Sequence, residues 1–418
     1  MTAWRGPPPN WSVRDGMASI AFFNNSGYGH VLPTLGVVAE LVRRGHRVTY
    51  FTGAGVTAKV AATGAEVVPY ETRLPGIDLS EYVTADRTPE LLGIYLTESE
   101  TILRAAEAHF GDTPPDLIEY DLTVYHAGRI LAAKWGIPAV QGLPVFASND
   151  HFSLLDAMVR HMGKGDPRHP ALLEFVRRLT ALLAAHGQAD TRLEDFIGQN
   201  EGLNLAYFPR SFQFAGPTFD DRFAFIGPGL EDDPAPGGWT PPGDGRPVLF
   251  VSLGTSVNRR PGFFRACVDA FRDQPWHVVM TVHQGVDRAE LEPLPSNVEV
   301  HEWLAHQEVL RHTDVLLCHA GMGSLMGAWH QGVPAVVVPG SPEDWVNARR
   351  VAELGLGRVI REDLPTPDRL RAAVLGVAAD QMTRKRVDRM RTDIATAGGG
   401  VRGADAIEHH LTASLVSH

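Results

Sequence analysis

Short apolar runs and amphipathic stretches alternate along most of the chain. Residues 18–23 form an apolar run, and between Val31 and Val42 apolar side chains recur at the spacing of one helical face. This pattern predicts a buried strand followed by an amphipathic helix. Similar pairs recur up to residue 141 and again from residue 248, so the sequence predicts an α/β protein with parallel, doubly wound sheets.

A segment rich in proline and glycine divides this pattern into two parts. Residues 227–246, GPGLEDDPAPGGWTPPGDGR, have the composition of a linker. The pattern therefore predicts an N-terminal domain over 17–226 and a C-terminal domain over 247–400. We expect the polar, proline-rich residues 1–16 to be a disordered tail and residues 401–418 to hold a final helix.

Composition excludes several classes of protein. The 38 basic and 49 acidic residues give a formal charge of −11, which argues against a surface that binds nucleic acid or anionic membranes. The two cysteines, Cys267 and Cys318, form no CxxC pair, so neither a disulfide framework nor a zinc site is expected. No apolar stretch approaches the roughly 20 residues of a membrane span, and a cytoplasmic protein is predicted.

A glycine-rich turn between a predicted strand and a predicted helix gives the first chemical signal. An apolar run ends at Cys318, the segment HAGMGS (319–324) follows at once, and a helical stretch comes next. Such a turn directs backbone N–H groups and a helix dipole at an anion. Gly321 and Gly323 would let the backbone come close, and the hydroxyl of Ser324 would donate a hydrogen bond. A phosphate site is therefore predicted, although neither a P-loop nor a GxGxxG pattern is present.

An aromatic residue near this turn indicates which phosphate compound binds. Trp303 follows the segment Val298-Glu299-Val300, so its ring leaves the end of a predicted strand, where open α/β sheets bind ligands. A tryptophan face stacks well on a planar base. Trp303 and the turn at 319–324 together predict a nucleotide site. The alternative is that the ring of Trp303 packs in the core.

These segments resemble the nucleotide-sugar signature of family 1 glycosyltransferases, especially the bacterial antibiotic enzymes. The matching segments are WLAHQEVL (303–310), HAGMGS (319–324) and the pair Glu343-Asp344 followed by Asn347. The resemblance extends from about residue 17 onward. It implies the GT-B fold, in which two doubly wound, Rossmann-like domains face each other across a cleft and the last helix packs on the first domain.

The resemblance also implies roles for individual residues. In this family the tryptophan stacks on uracil or thymine, the glycine-rich turn and a loop of the second domain hold the diphosphate, and the acidic pair faces the donor sugar. The positions that take these roles are Thr255, Ser256, Trp303, His319, Gly321, Gly323, Ser324 and Asn347 for the nucleotide and its phosphates, and Glu343 and Asp344 for the sugar. The chain departs from the family at Ala305-His306, where Pro-Gln is usual, and at Asp344, where glutamine is usual.

Asp344 has two interpretations. An ionised carboxylate only accepts hydrogen bonds, so two adjacent carboxylates favour an amino- or deoxysugar donor. Alternatively, Asp344 caps the helix that leads into Asn347, since aspartate is favoured at helix N-termini.

A second candidate site lies in the first domain. His30 follows the first predicted strand in the segment GHVLP, and Asp121 ends the predicted strand 116–121, so both are expected at one edge of the sheet. Taken alone, His30 is most simply a loop histidine bonded to local backbone. In the resembled family the histidine of G-H-x-x-P is the catalytic base and an aspartate holds its tautomer, so the resemblance assigns these roles to His30 and Asp121.

No metal ion is expected at either site. The sequence has no Asp-x-Asp motif, and a helix N-terminus, His319 and serine hydroxyls can stabilise a leaving diphosphate. A dTDP- or UDP-sugar is the expected co-substrate, with no other cofactor. The histidines His283, His306, His312 and His330 are interpreted as structural or surface residues.

An apolar region of the first domain predicts either ordinary core or a pocket for the acceptor. Charged residues are sparse from 143 to 155, which favours the pocket. In the resembled enzymes this region contacts a bulky aglycone, and the candidates here are Phe146, His151, Phe152, Leu155 and Met158. The stretches FASNDHF, FQFAGPTFDDRFAFIGP, RPGFFRACVDAF and QPWHVVMT are most similar to calicheamicin-type enediyne glycosyltransferases.

The sequence and the resemblance together predict an inverting glycosyltransferase. It would move a deoxy- or aminosugar from dTDP to a hydroxyl of a polyketide, enediyne-like aglycone in antibiotic biosynthesis. A macrolide-inactivating or other UDP-sugar-dependent enzyme is the main alternative, and a homodimer is compatible with either. The G-H-x-x-P segment argues against a nucleotide-sugar epimerase or hydrolase, and a catalytically silent partner protein would need none of His30, Asp121 and His319.

Overall fold

The computed structural model describes residues 16–74, 77, 79–230, 239–255 and 258–416. Within them the chain forms two parallel sheets covered by helices, which confirms the predicted α/β, doubly wound class. The predicted tail lies outside the described residues except for Gly16, and so does the middle of the predicted linker.

The first sheet contains seven described strands in the order β3-β2-β1-β4-β5-β6-β7. The strands are β1 (Ser19–Phe23), β2 (Arg47–Gly53), β3 (Glu66–Tyr70), β4 (Leu117–Asp121), β5 (Ala139–Leu143), β6 (Leu203–Ala206) and β7 (Phe223–Phe225). The helices of this part are α1 (Tyr28–Arg43), α2 (Thr57–Ala61), α3 (Thr88–Phe110), α4 (Tyr125–Trp135), α5 (Leu154–Met162), α6 (Pro170–Ala185) and α7 (Leu193–Gly198). The central strands β1 and β4 are buried on both faces, which explains why β1 is apolar without alternation.

The second sheet contains six described strands in the order β10-β9-β8-β11-β12-β13. The strands are β8 (Val248–Ser252), β9 (His277–Thr281), β10 (Val298–His301), β11 (Val315–Cys318), β12 (Ala335–Val337) and β13 (Gly357–Val359). The remaining helices are α8 (Pro261–Phe271), α9 (His306–Leu310), α10 (Met322–His330), α11 (Pro342–Leu354), α12 (Pro367–Ala379), α13 (Gln381–Thr396) and α14 (Gly399–Val416). Apolar clusters on the two sides of this sheet form its core.

The last helix packs on the first domain. Ile407 and Leu411 of α14 are buried in the same apolar cluster as residues of α1 and β1. At the edge of this contact, Glu408 accepts a hydrogen bond from Arg44 at 2.7 Å, and its other oxygen lies 2.8 Å from Nε2 of His46. The chain therefore returns from the second sheet to the first at its C-terminal end.

Several elements differ from the sequence pattern. β6 lies between residues 141 and 248, where the sequence pattern indicated no pairs of strands and helices. The same stretch contains the helices α5 and α6, separated by residues 163–169, and the strand β7. Within the part of the chain that the structure covers, no helix is long and apolar enough to cross a membrane.

Candidate active site

A histidine–aspartate pair lies at the carboxyl edge of the first sheet. His30 is the third residue of α1, and Asp121 is the last residue of β4, the strand beside β1. Nδ1 of His30 lies 2.8 Å from Oδ2 of Asp121. With Nδ1–H directed at the carboxylate, Nε2 is the ring atom that can accept a proton. The histidine side chain remains 25% exposed, whereas that of Asp121 is buried.

The carboxylate makes His30 a stronger base. Burial by itself would lower the pKa of His30, but the charge of Asp121 and the hydrogen bond to it outweigh burial, so the pKa rises above its ordinary 6.5. Glu343, a carboxylate of the second domain, contributes in the same direction. Carboxylates of both domains therefore raise the pKa of His30.

The loop between β1 and α1 holds this pair in place. Oδ1 of Asp121 accepts hydrogen bonds from the backbone N–H of Thr123, at 2.8 Å, and from its hydroxyl. The Asn25 amide donates to Oγ1 of Thr123 at 2.7 Å, and its carbonyl accepts the N–H of Gly27 at 2.6 Å. Asn25 therefore connects the surroundings of Asp121 to the start of the helix that carries His30.

Trp303 lies across the cleft, two residues after β10. It is 45% exposed, so the alternative in which its ring packs in the core does not apply. Tyr28 of the first domain contacts it with ring centroids 5.2 Å apart, and His283 meets it edge-on at 5.1 Å. A partly exposed indole at the carboxyl edge of a parallel sheet can stack on a planar base.

The segment after β11 has the geometry of an anion-binding turn. No side chain of the described residues caps the N-terminus of α10, so its first N–H groups remain available to a ligand. A methyl group at Gly323 would meet no described atom within 4 Å, whereas one at Gly321 would lie 2.3 Å from Nε2 of His319. Gly321 therefore makes room for the histidine ring, and Gly323 leaves the surface open. Ser324 is half-buried in the first turn of the helix.

Two residues fix the shape of this turn. Ala320 has a φ of 76°, a left-handed conformation that is costly for a residue other than glycine and is found at functional sites. The fully buried Asn347 donates a hydrogen bond to the Ala320 carbonyl at 3.0 Å. This buried hydrogen bond from Asn347 thus stabilises the backbone conformation of the turn.

The loop after β8 contacts the same turn. Gly254 has a φ of 70°, and a methyl group there would lie 2.6 Å from Cε1 of His319. Thr255 follows and is exposed, while Ser256 lies outside the described residues. Nδ1 of His319 is buried and has no hydrogen-bond partner among the described residues. The histidine is therefore held between two glycines with one nitrogen unsatisfied.

The acidic pair at the start of α11 has two different environments. Oδ2 of Asp344 accepts the N–H groups of Ser341 at 2.9 Å and Gly340 at 3.2 Å, and Oγ of Ser341 accepts the N–H of Asp344 at 3.2 Å. This reciprocal capping box favours the capping interpretation of Asp344, which is only 4% exposed.

Glu343 instead interacts electrostatically with His30 of the first domain. Burial and the charge of Asp344 raise the pKa of Glu343 to about 7, against the opposing effects of His30 and of a hydrogen bond from Asn347. Of the two adjacent carboxylates, Glu343 is therefore the one whose pKa is lowered by the charge of His30.

Three residues that the sequence did not assign to the site lie beside it. His283 and His306 flank Trp303, and burial together with electrostatic repulsion from His319 lowers the pKa of His283 to about 4. In the first domain, burial and the charges of Asp121 and Glu343 raise the pKa of Tyr95. Isolated histidines and tyrosines carry no spacing signal, so only the fold could bring them here.

The acceptor candidates occupy two kinds of environment. Phe146 and Phe152 are 2% and 8% exposed and pack against Phe214 with ring centroids 4.9 Å away in each case, which supports the core alternative for these two. Met158 packs against the same cluster and is partly buried. His151 and Leu155 are exposed, and Leu155 reaches 64%. Of the five predicted acceptor residues, only His151 and Leu155 are therefore exposed.

The described residues contain no group of three or more histidine, cysteine, aspartate or glutamate side chains arranged to hold a metal ion.

Comparison with known proteins places this site in a family. Residues 267–399 match the model of the erythromycin biosynthesis protein CIII-like C-terminal domain. Over 417 residues the chain is 39% identical to demethyllactenocin mycarosyltransferase of Streptomyces fradiae, covering 98% of this chain and 89% of the relative. Oleandomycin glycosyltransferase of Streptomyces antibioticus is 33% identical, over 95% of this chain and 91% of the relative.

Solved structures agree with these sequence relatives. The calicheamicin glycosyltransferase CalG4 superposes with a TM-score of 0.84 and 44% identity, covering 95% of this chain and 98% of that chain. The glycosyltransferase of kitacinnamycin gives a TM-score of 0.82 and 33% identity, covering 97% of this chain and 100% of that chain. The chain therefore has the GT-B fold and belongs to the family 1 glycosyltransferases, among the antibiotic-type members.

Proposed function

We propose that this glycosyltransferase transfers a sugar from a dTDP-sugar to a hydroxyl of a polyketide aglycone, with inversion at the anomeric carbon. The observation that carries the proposal is the His30–Asp121 pair of the first domain, together with Trp303 of the second domain, which contacts Tyr28, two residues before His30. The pair supplies a base at one side of the cleft. The other side supplies a stacking surface and an anion site.

The proposed reaction is a single displacement. Nε2 of His30 takes the proton of the acceptor hydroxyl while the oxygen attacks the anomeric carbon, and Asp121 stabilises the imidazolium that forms. The new C–O bond forms as the bond from that carbon to the diphosphate oxygen breaks. Attack opposite the leaving group inverts the configuration. The N-terminus of α10 and His319 stabilise the departing diphosphate without a metal ion.

The donor assignment rests on the C-terminal domain and on the relatives. The exposed ring of Trp303 supports stacking on a pyrimidine base, and the electrostatic interaction of Glu343 with His30 supports a role for Glu343 at the donor sugar. The 36% identical YjiC of Bacillus subtilis is named an NDP-glycosyltransferase, which supports a nucleotide-sugar donor of this general kind. One relative is named a mycarosyltransferase of demethyllactenocin and CalG4 is named a calicheamicin glycosyltransferase, which supports a natural-product acceptor.

A second candidate function is glycosylation of a finished macrolide with a UDP-sugar. The similarity to oleandomycin glycosyltransferase, at 33% identity over 95% of this chain, favours it. Both candidates use the same site and differ in the donor and acceptor.

An assay of the purified protein distinguishes these functions. The protein is incubated with dTDP-deoxysugars or UDP-glucose, each with enediyne-type and macrolide acceptors, and products are identified by mass and by the anomeric coupling constant. We expect transfer from dTDP-deoxysugars with inversion, and loss of transfer in His30→Ala while dTDP binding persists. Turnover of His30→Ala within a few-fold of wild type would overturn the role of the base. Sugar release without any acceptor would indicate a hydrolase.

A further inference from the structure

His283 occupies a strained position at the edge of the second sheet. It follows β9 with a φ of 49°, in the left-handed region that glycine adopts at little cost and that other residues rarely enter. Its backbone N–H donates to the carbonyl of Glu302 at 3.0 Å, which ties this conformation to the segment that carries Trp303. Strain of this kind persists where surrounding structure holds it, often at ligand sites.

The side chain of His283 has a polar atom without a partner. Nε2 is buried, and no atom of the described residues bonds to it. The ring meets Trp303 edge-on at 5.1 Å and lies 6.1 Å from the ring of His306. It also lies within electrostatic reach of His319. A buried nitrogen that bonds to nothing is unfavourable in the free protein, because it has lost water without gaining a partner.

The neighbours of His283 identify the ligand group it would meet. If the proposed function is correct, the base stacks on Trp303 and the diphosphate lies at the turn of His319. The deoxyribose that joins the base to the diphosphate must then pass between these two residues, so the first phosphate lies next to His283. We infer that His283 binds the nucleoside diphosphate of the donor, with Nε2 hydrogen-bonded to a phosphate oxygen beside the deoxyribose.

A glycine substitution separates this role from a structural one. His283→Gly removes the imidazole and also relieves the left-handed strain, so the variant should fold with a melting temperature equal to or above that of wild type. Its dissociation constant for dTDP should rise about tenfold, the factor associated with one hydrogen bond to a charged group. Binding of thymidine, which lacks the phosphates, should change less than twofold.

His283→Asn provides the conservative variant. Asparagine tolerates the left-handed conformation and retains an N–H donor, so dTDP affinity should recover to within about threefold of wild type. Calorimetry measures dTDP binding to the wild type and both variants, ligand-observed NMR measures thymidine, and thermal unfolding checks the fold.

The results distinguish failure of this inference from failure of the proposed function. Unchanged dTDP affinity in His283→Gly overturns the inference while leaving the donor assignment intact. Equal weakening of thymidine and dTDP also overturns it, since His283 would then only orient Trp303. If the wild type binds neither dTDP nor UDP, the proposed donor is wrong. The inference about His283 is then overturned as well.

Discussion

Nδ1 of His30 lies 2.8 Å from Oδ2 of Asp121, although 91 positions separate the two residues in the chain. The contact forms because β1 and β4 are neighbours in the sheet, so the residues that follow their carboxyl ends share one edge. Asp121 has a second function in this arrangement, since its other oxygen is held by Thr123. The orientation of the imidazole is thus fixed from two strands.

The first prediction concerns the pH dependence of transfer. The pKa of His30 is raised above 6.5, so the base is protonated and inactive at pH values below that raised pKa. In Asp121→Asn the charge that opposes burial is lost, and the pKa of His30 should fall. The acidic limb of the kcat/KM profile should move to lower pH, while the plateau drops at least tenfold because the tautomer is less well held.

A pH–rate series on wild type and Asp121→Asn tests this prediction, with dTDP affinity as the control for an intact donor site. An acidic limb at the same pH in both proteins would mean that His30 is not the group that titrates.

The second prediction concerns Trp303. Trp303→Ala should weaken dTDP binding by roughly 1–3 kcal/mol, the usual loss when a base loses its stacking partner. Calorimetry measures the loss. Trp239→Ala is a matched control, because Trp239 packs beside His277, the first residue of β9, at the opposite end of the strands. Equal affinities in wild type and Trp303→Ala would place the base elsewhere.

The adjacent carboxylates should respond differently to substitution. Asp344 caps α11, so Asp344→Asn should lower the free energy of unfolding by about 1 kcal/mol and reduce activity equally with dTDP-glucose and a dTDP-deoxysugar. Glu343 faces His30, so Glu343→Gln should leave stability nearly unchanged and lower kcat/KM about tenfold.

Denaturant unfolding and kinetics with both donors measure these effects. A selective loss with the deoxysugar donor in Asp344→Asn would restore the alternative in which this carboxylate contacts the sugar.

The sequence predicted strands wherever burial on both faces leaves an unbroken apolar run. β11 begins and ends at the predicted residues, because Val315–Cys318 is apolar and a glycine-rich turn follows at once. β6 was missed because Asn204 interrupts its apolar pattern. That side chain is nevertheless buried, since its amide donates to the carbonyls of Glu201 and Arg222. A buried polar residue whose amide is satisfied by backbone carbonyls interrupts the apolar pattern without ending the strand.

The candidate site also contains residues that the sequence predicted and residues that it did not. His30 and Asp121 were predicted because His30 follows a recognisable strand, Asp121 ends another, and the family resemblance assigns a role to each. The capping role of Asp344 was legible as Ser341-x-x-Asp344, a spacing typical of a capping box. The positive φ of His283 is a property of the backbone. A histidine in the sequence gives no indication of it, because glycine is the residue that adopts this conformation at little cost.

The last prediction concerns a buried carboxylate near the His30–Asp121 pair. Glu119 lies two residues before Asp121 on β4 and is fully buried; Oε1 accepts the Tyr207 hydroxyl at 2.9 Å, and Oε2 has no partner among the described residues. Burial raises the pKa of Glu119 to about 8, against the effect of Tyr207 and with the help of the charge of Asp121. The ordinary value of 4.5 applies to the unfolded chain.

Because the folded pKa is the higher one, the folded protein binds this proton more tightly than the unfolded chain does. Stability should therefore fall as pH rises from about 4.5 to about 8, by up to about 1.4 kcal/mol per pH unit. Glu119→Gln carries no ionisable group, so its free energy of unfolding should exceed that of wild type increasingly between pH 5 and pH 8. Glu71→Gln, at an exposed position, is the control and should show no such trend. Denaturant unfolding across this range decides the matter, since a constant difference between Glu119→Gln and wild type would mean that Glu119 is already ionised in the folded protein.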